Sequence, residues 1–167
     1  MSRQLSLLSA LDALDLAFAG EAPFPVTGCL RCYSEHDLAL LSGPLHDIPD
    51  ELVVSVAVKT PDHWADFPRL YRRLVPRIVR PLVTGRHHID AEIVASRLLH
   101  AEWTIWDARL TEVLGDVWDV RWETSLHACP GPVPIRATLG VVTVVTGGLS
   151  PWLDDGPASA PRPRTPN

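Results

Sequence analysis

No stretch of this chain is apolar for long enough to span a bilayer as a helix. No export signal is expected either. The opening MSRQLSLLSALDALDLAFAG carries an arginine and a leucine-rich run, but Asp12 and Asp15 interrupt it. A secretory h-region avoids charge. The stretch reads instead as an amphipathic helix over 3–19, and the expected location is cytoplasmic. Cysteine is scarce: there are three. An odd count without an export signal argues against a disulfide framework. Excess positive charge is absent too, since the net charge is −5. Sequence-blind nucleic-acid binding rests on many phosphate contacts, so it is disfavoured. No Gly-rich phosphate loop, G-x-S-x-G or H-E-x-x-H occurs. No repeat of fixed period is visible.

What the chain does contain is helical periodicity. Its 167 residues, 46% hydrophobic and 21% charged, suffice for one domain with its own core. A short helix follows Ser34, with Asp37 in a capping-box-like position, and stops at Ser42-Gly43-Pro44. DIPDELVVSVAVKTP is rich in valine, which suits strands. Pro49 with Asp50 and Glu51 opens a helix, however, and Pro61 closes it, so a helix is expected. Phe67, Leu70, Tyr71, Leu74, Ile78 and Leu82 share one face of a helix over 66–84. Pro76 and Pro81 inside it should kink or break it.

Asp90 opens a further helix to about His100. Steps of three and four from Leu110 through Trp118 and Trp122 to Leu126 mark a long one. The segment 135–146 is helix or strand. A lone strand would have nothing to pair with, which favours helix. The fold class is therefore all-α, a single domain of six to eight helices over 1–153. The tail 154–167 is proline-rich and should be disordered.

The chemistry concentrates in GCLRCYSEHD, from Gly28 to Asp37. Cys29 and Cys32 form a C-x-x-C in a loop leading into a helix, a spacing that lets both thiolates meet one metal ion. Gly28 eases the turn. His127 and Cys129 form an H-x-C at the end of the long helix. Cys29, Cys32, Cys129 and His127 would make a Cys3His site that uses every cysteine. His36, one helical turn from Cys32, is the substitute fourth ligand, and His63 stands behind it. Thiolates with imidazole select zinc. The contrary reading is structural cysteines with no ligand role.

Two other functional readings remain open. One is a thiol redox protein, which shares Cys29 and Cys32 but normally sits in a βαβ pattern that is not visible here. The other is an enzyme that uses an open metal position, or His63 with Asp62 or Asp66. Arg69, Arg73, Arg77 and Arg80 form a stripe that could grip a protein partner; the plainer reading is a solvated face. Trp118 and Trp122 read as core, and Trp103 and Trp106 as packing at a helix junction.

Cys29-Leu30-Arg31-Cys32-Tyr33-Ser34-Glu35, then Asp62-His63-Trp64-Ala65-Asp66-Phe67, then Leu74-Val75-Pro76-Arg77 resemble an uncharacterised bacterial helical family. Its members carry C-x-x-C followed by Ser-Glu, then a tryptophan–acid–aromatic segment and Leu-x-Pro-Arg. The resemblance covers roughly 26–135. It implies an all-α architecture and no particular activity.

Overall fold

Capping side chains set most of the helix starts in the computed structural model, which describes residues 6–86, 89–127 and 135–148. The Ser6 hydroxyl accepts from the Ser9 N–H at 3.2 Å and starts α1, Leu7–Phe18. Ser34 and Asp37 form a reciprocal capping box ahead of α2, Glu35–Ser42. Pro49, followed by Asp50 and Glu51, opens α3, Asp50–Val58. Here the acidic first turn and the flanking prolines override the strand preference of the valines. Asp66 caps α4, Phe67–Thr84, by accepting from the Arg69 N–H at 3.2 Å. Gly85 ends that helix in the left-handed region at φ 71°, where glycine carries no Cβ penalty. Asp90 caps α5, Ala91–His100, and α6, Ala108–His127, and α7, Ile135–Thr146, complete the set. Among the described residues these seven helices and three short 3-10 turns account for the regular structure, apart from one isolated β-bridge.

The architecture is all-α, as the periodicity requires. The segment 135–146 is helical, and its Val141, Val142 and Val145 enter the core. Trp118 and Trp122 are buried in that core, and Trp103 is buried at the junction between α5 and α6. Helix α4 is the central element. It packs against α1, α3, α5 and the 3-10 turn Pro61–His63. It stays one continuous helix through Pro76 and Pro81, so of the kink or break expected there the break does not occur. Packing on several sides offsets the loss of two N–H donors.

That central position corrects the solvated-face reading for Arg73, Arg77 and Arg80, while Arg69 is exposed. Arg73 is 0% exposed and donates to the carbonyls of Leu41, at 2.6 Å, and Gly43. Arg77 donates to the Leu45 carbonyl at 2.6 Å and pairs with Asp50. Arg80 joins Asp12 and Asp15 of α1 at 2.9 and 2.6 Å. Arg69 lies over the Phe24 ring, 4.2 Å from its centroid. Arg97 of α5 likewise donates to the Lys59 carbonyl at 2.8 Å. Helices α2 and α3 have no basic residue in their own last turns. Cations from other helices satisfy their terminal carbonyls and oppose the negative end of the dipole. The fork of a guanidinium, which lysine lacks, lets Arg73 serve two carbonyls at once.

Candidate metal centre

The site begins with a backbone register. The Cys29 N–H donates to the His63 carbonyl at 2.9 Å, and the Ala65 N–H donates to the Thr27 carbonyl at 3.0 Å. These two bonds make the antiparallel bridge between Gly28 and Trp64. The loop before α2 is thereby tied to the turn before α4, and Cys29 is brought alongside His63. Trp64, 7% exposed, packs directly on Gly28. A Cβ on Gly28 would lie 2.8 Å from two ring carbons of the indole. The glycine is thus needed for close approach, not merely to ease a turn. Tyr33 closes the other side, with its ring centroid 4.5 Å from that of Trp64 and its hydroxyl 3.1 Å from the Ser55 hydroxyl.

The cysteine loop is a tight knuckle. The Cys29 carbonyl accepts from the N–H groups of both Cys32 and Tyr33, at 3.0 and 3.1 Å. The turn brings Cys32 back beside Cys29, and the Ser34 capping box fixes where the loop becomes helix. On the opposite side Pro61 starts a 3-10 turn that ends at His63. The ligand atoms of Cys29, Cys32 and His63 all lie within 4.8 Å of one another. The Cys32 Sγ to His63 Nδ1 distance is 3.6 Å. For zinc with sulfur at about 2.3 Å and nitrogen at about 2.0–2.1 Å, a tetrahedron puts those two atoms roughly 3.5 Å apart. The cluster needs a contraction of about 1 Å at most to hold a metal of this size.

Electrostatics point the same way. The hydrogen bond with His63, first, then those with the Arg31 backbone and with Cys32, bring the Cys29 thiol down to about 7. Metal ligation needs the thiolate, so the competition from protons is weak near neutrality. Cys32 is exposed, while Cys29 and His63 are half-buried, which leaves a route for an ion.

Of the expected ligands, Cys29 and Cys32 come together. The histidine beside them is His63, which the sequence ranked behind His36. Among the described residues His36 is not part of the cluster. Cys129 and the side chain of His127 lie outside the described residues. Of the two acids read with His63, Asp62 stays within its electrostatic reach. Asp66 caps α4, and a hydrogen bond with Thr60, aided by His63 and Arg97, lowers the Asp62 pKa. No family model, curated protein or solved structure matches the chain. No helix among the described residues is long and apolar enough to cross a membrane.

Proposed function

We propose that this is a zinc-stapled helical protein, an interaction or regulatory module in which Cys29, Cys32 and His63 hold the ion. The observation that carries the reading is the convergence of three ligand atoms within 4.8 Å from two segments 31 positions apart in the chain. Two thiolates and an imidazole suit zinc and are poor ligands for magnesium or calcium. The metal would lock the loop ahead of α2 to the turn ahead of α4, adding to two backbone hydrogen bonds and a buried indole. Structural zinc contributes on the order of 10 kcal/mol in small peptides, and a fraction of that is large against the stability of one domain. A fourth ligand from Cys129 or His127 would close the site. Water in that position would leave it open and would favour the enzyme reading. Thiolate ligation also fits a reducing compartment such as the cytoplasm.

The test is metal analysis of the purified full-length protein and of Cys29→Ser and His63→Ala. Stoichiometric zinc in the parent and its loss from both variants is the expected result. Zinc content that is unchanged by either substitution would place the metal elsewhere.

A further inference from the structure

The two sulfurs of the cluster are adjacent in the knuckle and open to solvent on one side. Cys32 is exposed, Cys29 is half-buried, and both are free thiols. The turn that aims them at an ion also brings each within reach of the other, since their Sγ atoms belong to a group spanning at most 4.8 Å. Forming a bond of about 2.05 Å needs only a local closure of that turn. The bridge between Gly28 and Trp64 and the burial of Tyr33 against Trp64 do not involve the sulfurs. The fold around the site can therefore survive a change of sulfur chemistry.

Resting on the zinc reading above, we infer that the site is an oxidant-controlled metal switch, in which a peroxide converts Cys29 and Cys32 to a disulfide and expels the ion. The Cys32 thiolate, the more exposed, attacks one peroxide oxygen. An S–O bond forms, the O–O bond breaks, and hydroxide leaves. The Cys29 thiolate then attacks the Cys32 sulfur, so that the S–S bond forms and the S–O bond breaks with loss of a second hydroxide. The pair of thiolates is oxidised by two electrons and the peroxide is reduced to two waters once two protons are taken up. A disulfide is a far weaker ligand than two thiolates, so a site stripped of both the Cys29 and Cys32 thiolates cannot retain the zinc. Reduction by a dithiol restores the site.

The full-length protein, loaded with zinc and freed of excess, is treated with hydrogen peroxide in the presence of a chromogenic chelator. Zinc release should match disulfide formation mole for mole and should reverse with dithiothreitol and added zinc. Helical circular dichroism should be retained. Arg31 lies between the two cysteines. Trypsin therefore separates Cys29 from Cys32 in the reduced protein, and a linked pair of peptides identifies the disulfide. Protein that carries stoichiometric zinc but keeps it under peroxide would overturn this inference and leave the zinc reading standing. Zinc loss that tracks sulfinic acid rather than the disulfide would overturn it also. Protein that takes up no zinc at all would remove both.

Discussion

Gly28→Ala is the smallest change that reaches the site without touching a ligand. The added methyl would lie 2.8 Å from Cε3 and Cζ3 of Trp64 and 3.2 Å from Cδ2 of Leu38. Carbon atoms in contact sit about 3.5–4.0 Å apart, so the indole must retreat by roughly 1 Å. It has little room, because it is 7% exposed and is backed by Tyr33. Overpacking of this kind costs about 1–3 kcal/mol. Alanine also restricts the unfolded chain, which returns about 0.4–1 kcal/mol. The net loss is at most about 2.6 kcal/mol and about 1.3 kcal/mol at the middle of both ranges, which is a fall in Tm of roughly 3–5 °C for a chain of this size. His63 precedes Trp64 directly, so the retreat also displaces a ligand. Zinc affinity should drop by about 10–100-fold, as it does when the surroundings of a metal ligand are disturbed. Thermal denaturation of the metal-free protein and competition for zinc with a chelator measure the two effects separately. A variant with unchanged Tm and unchanged zinc affinity would refute the packing of Trp64 on Gly28 and the coupling drawn from it.

Arg73→Lys keeps the buried charge but cannot serve both the Leu41 and Gly43 carbonyls, so urea denaturation should show a loss of about 1–3 kcal/mol. A stability equal to the parent's would mean that the fork is not needed. In metal-free protein the alkylation rate of Cys29 should rise through a midpoint of about 7, and His63→Ala should move that midpoint upward. Because the folded-state pKa is depressed, the thiolate favours the fold: this contribution grows as pH rises above about 7 and is lost as pH falls through it. Denaturation midpoints of the metal-free protein on either side of neutrality check the sign. Free zinc at 100 times its Kd should stabilise the protein by about 2.7 kcal/mol. His36→Ala should leave that gain intact and His63→Ala should abolish it, as thermal shifts with and without a chelator would record.

Most of the fold was legible because each helix carries its own local signals. Ser34 with Asp37, Pro49 with Asp50 and Glu51, and Asp90 all mark starts that the structure keeps. The valine-rich α3 is a helix because its acidic first turn and the flanking prolines decide the case before side-chain propensity does. The C-x-x-C was equally plain. Its partner was not, because His63 reaches Cys32 only through the bridge between Gly28 and Trp64. A two-residue pairing has no period, and its contact is long-range. A glycine before the first cysteine and a tryptophan after the histidine were the available signals, and neither is specific alone. The arginine stripe misled for a related reason. Opposition of charged and apolar faces predicts a wet surface only where one side of a helix is covered, and α4 is covered on several.

Zinc K-edge X-ray absorption of the full-length protein, alongside His63→Ala, tests the metal centre most directly. The expected shell has at least two sulfurs at about 2.3 Å and an imidazole nitrogen at about 2.0–2.1 Å, the imidazole contribution being lost or the zinc absent in the variant. A third sulfur would identify Cys129 as a further ligand. A shell without sulfur, or one identical in the parent and in His63→Ala, would contradict a zinc site at Cys29, Cys32 and His63.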